Sequence, residues 1–201
     1  ANGAWEKMLS LIAPACDLAR DAGVTLVVET GNGTMVNSNY TGRKMIDDLN
    51  AKDVLKILWD PANNCWCHEE AFPDGYEEVK MGYLGHVHIK DVHVDTPRAT
   101  LEVRRIGEGQ LANQFKPMAS AMRGDGYEGV ISFESVYHPG NGNFEDGFRQ
   151  CVGLFHYILA WILMTKDTRN YRLKAISTYC FVGLVTFERV LKGQCGTKKM
   201  F

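Results

Sequence analysis

The sequence predicts an α/β fold in which parallel strands are covered by helices, and two observations carry that prediction. Short apolar runs alternate with helix-like segments as far as about residue 150. Each apolar run then closes on an acidic residue or a histidine, and a loop containing Gly, Pro, Asn or Ser soon follows. A continuous apolar run suits a strand buried on both faces, and helices supply the cover.

Taken in order, WEKMLSLIAPACDLARDAG places apolar residues at helical spacing and stops at Gly23. VTLVVET is a β-branched run, which predicts a strand over 24–29. TGRKMIDDLNA reads as a helix, and VLKILWD as a strand over 54–60. DGYEEVKMGYL predicts a short helix leading into a strand over 84–91. A long connection follows before the helical QFKPMASAMRGDG, the strand GVISFES over 129–135, and a long closing helix, NFEDGFRQCVGLFHYILAWIL.

Bulk properties bound what such a fold can do. The 201 residues are 45% hydrophobic and 23% charged, enough for one domain with a sizeable core. A net charge of -2 with no basic run gives no reason to expect a nucleic-acid partner. Segments 151–164 and 175–187 are the most apolar, yet each is shorter than the ~18 residues of a spanning helix, so buried helices are expected and no membrane partner. The six cysteines are scattered, and the start lacks a basic segment followed by an apolar run, which together predict a cytoplasmic setting. Cys65, Cys67 and His68 do not have the spacing of a structural zinc site.

The stretch LGHVHIKDV, 84–92, carries two histidines, a lysine and an aspartate inside a strand-like run. Alternate side chains share a face, so His86, His88 and Lys90 point one way and Val87, Ile89 and Asp91 the other. Burying a polar triplet is costly unless its members find partners. The carboxyl ends of parallel strands meet at one edge, where Glu29, Asp60, His88 with Lys90, and Glu134 would converge. Three carboxylates crowded together raise one another's pKa steeply, and a divalent cation resolves the conflict. Glu29, Asp60, His88 and Glu134 are therefore the candidate metal ligands.

VVET, LWDPAN, GHVHIKD, GEGQL and GYEGVISFES together resemble the second half of the xylose isomerase-like barrels. That superfamily contains sugar phosphate isomerases and epimerases, inosose dehydratases, hydroxypyruvate isomerases and endonuclease IV. The resemblance covers roughly residues 5–158 and implies part of an eight-stranded (β/α) barrel, contributing its fifth to eighth strands. It also implies one divalent metal on Glu29, Asp60, His88 and Glu134, the four positions the strand ends already select. A whole barrel needs about 250 residues, so residues 1–164 are expected to be a carboxyl half with open edges through which copies could associate. The tail, 165–201, matches no pattern and is expected to be an extension or a read-through.

Three carboxylates and a histidine suit Mn²⁺, Mg²⁺ or Co²⁺, with Zn²⁺ possible. The resemblance implies isomerisation or epimerisation of a carbohydrate, as a sugar, sugar phosphate or related polyol or keto acid, through an enediolate. Glu29 and Glu134 would be the catalytic acid and base. Lys90 would either bind a substrate oxygen, phosphate or carboxylate or pair with Asp60 or Glu134, and Asn63 would hydrogen-bond a substrate hydroxyl. His86 is expected to be a core histidine or one that supports the metal ligands from behind, and Asp91, facing outward, to orient a loop or cap a helix. An endonuclease IV-like phosphodiesterase and a non-catalytic barrel remnant are the alternatives.

Overall fold

A computed structural model describes residues 3–80, 82–134, 136–163 and 186–188. Helix α1, Ala4–Ala22, ends where Gly23 takes a left-handed conformation (φ 64°) and its N–H reaches back to the last turn. That geometry suits glycine, which has no Cβ to clash. Strand β1, Thr25–Glu29, follows, then α2, Asn39–Asp48, which starts on a capping box between Ser38 and Thr41. Strand β2, Leu55–Trp59, leads into a short helix α3, Pro61–Trp66. A single π-turn, Ala71–Gly75, precedes α4, Tyr76–Val79, and β3 spans Leu84–Ile89. Next come β4, Asp91–Asp95, β5, Thr100–Arg104, α5, Phe115–Gly124, β6, Val130–Phe133, and α6, Phe144–Leu163.

Strands β1, β2, β3 and β6 form a parallel sheet in sequence order, as the alternating pattern predicts. Their carboxyl ends therefore share one edge. Leu26, Ile57, Trp59, Val87, Ile89 and Phe133 are buried in the sheet. Helices α5 and α6 cover it with Met118, Met122, Phe155 and Ile158, and the Phe133 ring stacks on Phe148 and Phe155 at 5.4 and 5.5 Å. The apolar segment 151–164 is thus a covering helix as far as it is described, with Cys151, Phe155 and Ile158 inward and Tyr157 exposed. No described helix is long and apolar enough to cross a membrane.

Three local expectations are corrected. The strand predicted over 84–91 ends at Ile89, and the long connection after it holds an antiparallel hairpin of β4 and β5. The alternation in VHVD and TLEVR is the half-buried pattern that pairs Val92 with Val103 and Val94 with Leu101. The helix predicted over DGYEEVKMGYL shrinks to Tyr76–Val79 because the π-turn takes up the residues before it. The outer edge of β1, expected to be unpaired, is joined antiparallel by β7, Thr186–Glu188, which satisfies its exposed backbone groups. The rest of the tail, including most of the apolar segment 175–187, lies outside the described residues.

Candidate metal centre

The sheet delivers four side chains to one point. Glu29 ends β1 and His88 lies on β3. Asp60 follows β2 and caps α3, its Oδ1 accepting from the N–H of Ala62 at 2.9 Å and of Asn63 at 3.3 Å. Pro61 at the first helical position favours the turn, because its missing N–H would have no helical partner there. Glu134 follows β6, and its N–H donates to the Ile89 carbonyl at 3.1 Å, extending the ladder between β3 and β6. One ligand atom from each of Glu29, Asp60, His88 and Glu134 lies within 4.8 Å of all the others. Opposite ligands of a cation bonded at about 2.0–2.4 Å are separated by about twice that length, so the four fit around one centre.

His88 Nδ1 faces Glu29 Oε1 at 3.4 Å, Glu134 Oε2 at 3.8 Å and Asp60 Oδ2 at 4.0 Å. Both His88 Nδ1 and Asp60 Oδ2 are buried and make no hydrogen bond. Buried polar atoms are rarely left so, and both belong to the four-residue cluster. Among the described residues Lys90 brings the one ammonium to the site. Its Nζ lies 2.6 Å from Asp60 Oδ2, an ion-pair contact outside hydrogen-bonding directions, and donates to Glu134 Oε2 at 2.5 Å. Of the two roles predicted for Lys90, the ion pair is present. Three carboxylates against one ammonium leave two negative charges with a neutral imidazole, which one divalent cation balances. The donor set therefore fits such an ion.

Electrostatics follow from the crowding. Burial alone would raise the Asp60 pKa, but the charges of Lys90 and His88 outweigh it and hold the carboxyl below its usual value. Glu134 is raised, first by burial and then by the charge of Asp60. Burial works against protonated His88, yet Glu29, Asp60 and Glu134 raise its pKa overall. Burial likewise disfavours charged Lys90, but Asp60 and Glu134 keep it firmly protonated.

Neighbouring residues hold this arrangement. Asn63 donates through Nδ2 to Glu29 Oε1 and to the Thr30 carbonyl, both at 3.1 Å, so the residue expected near substrate also fixes a carboxylate. His86 is a core histidine as predicted, with Nε2 at 2.7 Å from Ser132 Oγ and its ring edge-on to His88. Sequence inspection missed Ser132, whose hydroxyl stands directly on the face His86 needs. Cys65, Cys67 and His68 form no metal-ligating group, and the four-residue centre is the one such cluster among the described residues. At the same sheet end a cavity of about 640 Å³ opens, with Asn32, Asn37, Trp66, His68 and Thr96 in its walls.

Asp91 points away from the centre, as the strand alternation requires, but it is buried rather than outward in solvent. Its carboxylate accepts N–H bonds from Val92, Gly107, Gly109 and Leu111 at 2.9–3.1 Å, which ties down the loop after β5. A Cβ on Gly109 would meet Asp91 Oδ1 at 2.2 Å and the Val92 carbonyl at 2.5 Å. Gly109→Ala is therefore expected to cost about 1–3 kcal/mol, as overpacking does. A lowered urea midpoint would show it; an unchanged midpoint would mean the loop yields freely.

A comparison with curated proteins finds no match. Among solved structures, a xylose isomerase-like TIM barrel protein from Mycobacterium smegmatis in complex with magnesium aligns with a TM-score of 0.59 at 18% identity, over 81% of this chain and 53% of that one. A D-psicose 3-epimerase solved in the presence of D-fructose aligns with a TM-score of 0.60 at 17% identity, over 79% and 56%. The D-psicose 3-epimerase of Clostridium cellulolyticum H10, solved with D-tagatose, aligns with a TM-score of 0.57 at 16% identity, over 79% and 56%. The chain thus spans little more than half the length of these structures, and the likeness establishes fold. The model of the xylose isomerase-like TIM barrel family matches residues 1–152, three quarters of the chain, and the chain belongs to that family.

Proposed function

We propose that this chain carries the metal centre of a sugar or sugar-phosphate isomerase or epimerase, acting on the carbon beside a carbonyl. The observation that carries the proposal is the orphaned Nδ1 of His88, buried and ringed by the carboxylates of Glu29, Asp60 and Glu134. A histidine evolved only for packing would have found a hydrogen bond there. In this reading the four residues hold one Mn²⁺, Mg²⁺ or Co²⁺, with Zn²⁺ possible. When bound, the cation supplies Lewis acidity that makes the C–H beside a substrate carbonyl easier to deprotonate.

The chain's own residues do the rest. Glu134, whose carboxyl is raised above its ordinary value by burial and by the charge of Asp60, is the proposed group that takes and returns a proton. Glu29, more exposed and braced by Asn63, approaches from the β1 side. A base on each side of the reacting carbon lets one carboxylate remove a proton and the other return it, which inverts the centre. Transfer by one carboxylate between adjacent carbons isomerises instead. Asn63 and an N–H of Lys90 beyond the one given to Glu134 are the proposed donors to substrate oxygens. Strands β1, β2, β3 and β6 correspond in this reading to the fifth to eighth strands of a barrel. A preceding half would pair with β1 in parallel at the edge β7 occupies, so the two arrangements exclude one another.

The test is proton exchange. The native protein, loaded with Mn²⁺, is incubated in D₂O with ketohexoses, their phosphates and inososes, and deuterium beside the carbonyl is followed by NMR. Exchange with any of these supports the proposal. No exchange, with cleavage of abasic-site DNA instead, would give the site to a phosphodiesterase; metal binding with neither activity would mark a non-catalytic remnant.

Metal binding should also depend on pH in a defined direction. In the metal-free chain protonated His88 is favoured by its three carboxylates, so its contribution to folding is full below about pH 6.5 and is lost as pH rises through the raised folded pKa. A cation takes the neutral imidazole and must displace that proton. Apparent Mn²⁺ affinity should therefore climb by about tenfold per pH unit below the raised pKa and level off above it. Calorimetric titration over a pH series checks this, and a flat profile would mean that His88 gives up no proton.

A further inference from the structure

We infer that Glu69 is a positioning residue that sets the spacing of Glu29 and Asp60 while bonding to neither, an inference resting on the metal-centre reading above. The arrangement begins at the end of α3. There the N–H of His68 donates to the Cys65 carbonyl at 3.3 Å and the N–H of Glu69 to the Asn64 carbonyl at 2.9 Å, with His68 in a left-handed conformation (φ 60°). Such a closure turns the chain back on its helix, and glycine usually takes the left-handed position. Here the turn returns Glu69 to the N-terminus of α2. Its carboxylate accepts the Asn39 N–H, at 2.9 Å to Oε2 and 3.2 Å to Oε1, and the Asn64 side-chain N–H at 2.5 Å to Oε2. From there two short chains of bonds run to the centre. Asn64 Oδ1 accepts the Trp59 indole N–H at 2.7 Å, and Trp59 directly precedes Asp60. Asn39 Oδ1 accepts the Thr30 hydroxyl at 3.3 Å, and Thr30 directly follows Glu29. Trp59, Asn64, Asn39 and Thr30 are each 1% exposed or less, so water offers them no other partner.

The direction of each bond is fixed. An indole N–H only donates, so Asn64 turns its oxygen to Trp59 and its NH₂ to Glu69. The Gly75 carbonyl only accepts, and it takes the Asn39 side-chain N–H at 2.8 Å, which leaves the Asn39 oxygen for Thr30. Both groups that reach Glu69 are therefore donors. An ionised carboxylate accepts on both oxygens and donates on neither. Burial raises the Glu69 pKa, and the donors of Asn39 and Asn64 hold against that rise. A glutamine at this position would set its NH₂ against the Asn39 N–H in one orientation, and against the Asn64 NH₂ as well in the other. Either α2 or Asn64 must then move. Glu29 moves with the first through Thr30, and Asp60 with the second through Trp59.

The test follows Mn²⁺ on the full chain, its affinity by calorimetric titration and its ligand geometry by the zero-field splitting in electron paramagnetic resonance. Glu69→Gln is expected to bind Mn²⁺ about 10-fold more weakly, the lower end for residues that orient metal ligands, and to change the splitting. Adding Asn64→Asp to it is expected to restore both, because the new carboxylate accepts from the Trp59 indole and from the amide introduced at position 69. Tyr83→Phe deletes a 2.7 Å bond to Asp47 at the opposite end of the sheet; it should lower the urea midpoint and leave affinity and splitting unchanged. Parental affinity and splitting in Glu69→Gln overturn the inference. So does a double variant that stays weak or does not fold, which keeps the test decisive where Glu69→Gln alone does not fold. An equal loss in Tyr83→Phe also overturns it, since affinity would then follow stability alone. A parent that binds no Mn²⁺ removes the metal-centre reading and this inference together, whereas a binding parent insensitive to Glu69→Gln removes the Glu69 assignment alone.

Discussion

Replacing Asp60 with alanine is expected to destabilise the metal-free chain by roughly 3–5 kcal/mol, the range for breaking a buried ion pair from one side. Asp60 is fully buried and carries two duties. Its Oδ1 caps α3, a contact worth about 1 kcal/mol. Its Oδ2 faces Lys90, which would be left with Glu134 as its one acidic partner while remaining buried. Total stabilities of single domains run to about 5–15 kcal/mol, so the loss would move the urea midpoint far. Asp60→Asn separates the duties, because the amide oxygen can still cap but brings no charge. The alanine variant should also bind Mn²⁺ at least ~10–100-fold more weakly, given that even outer-shell changes cost that much. A parent-like midpoint in Asp60→Ala would show that the pair contributes nothing to folding.

The four strand ends were legible because two physical rules act on the sequence alone. Buried parallel strands must be continuous apolar runs, and their carboxyl ends must lie on one side, so Glu29, Asp60, His88 and Glu134 follow from reading where each run stops. The hairpin of β4 and β5 was not legible in the same way. Its alternation is carried by short stretches interrupted by Thr96–Arg98, with Ala99 in a left-handed conformation, and no Asn-Gly or Asp-Gly turn announces it. Helix α3 is hard to see in the sequence because Asp60 serves both as a ligand oxygen and as its N-cap, and only the first role shows in the strand pattern.

Partner choice was the other limit. Strand alternation places Lys90 on the inward face but says nothing of whether its ammonium meets substrate or carboxylate. That depends on Asp60 and Glu134 arriving from strands on either side of β3. Asp91 shows the converse. Its outward direction was readable, but its burial depends on the loop of Gly107, Gly109 and Leu111 folding over it, with four backbone N–H groups directed at one carboxylate. Such loop closure leaves no periodic trace in the sequence beyond its glycines.

Replacing Glu134 with glutamine in the native protein is expected to lower turnover by about 10²–10⁴, the range for loss of a general acid or base. Glutamine keeps the shape and one oxygen for Lys90, so the fold and the pairing with β3 should persist. What disappears is a group that can take a proton. Glu29→Gln should cost a comparable factor, but the two variants should differ in which proton still exchanges. For an epimerase with a base on each side, Glu134→Gln should retain deuterium exchange with one epimer of the substrate, and Glu29→Gln with the other. For an isomerase that shuttles one proton between adjacent carbons, a single carboxylate does the work, and only its loss should stop exchange altogether. Solvent exchange read separately on each epimer therefore decides between the two reactions. Full exchange with both epimers in both variants would remove Glu29 and Glu134 from the chemistry and leave them as ligands alone.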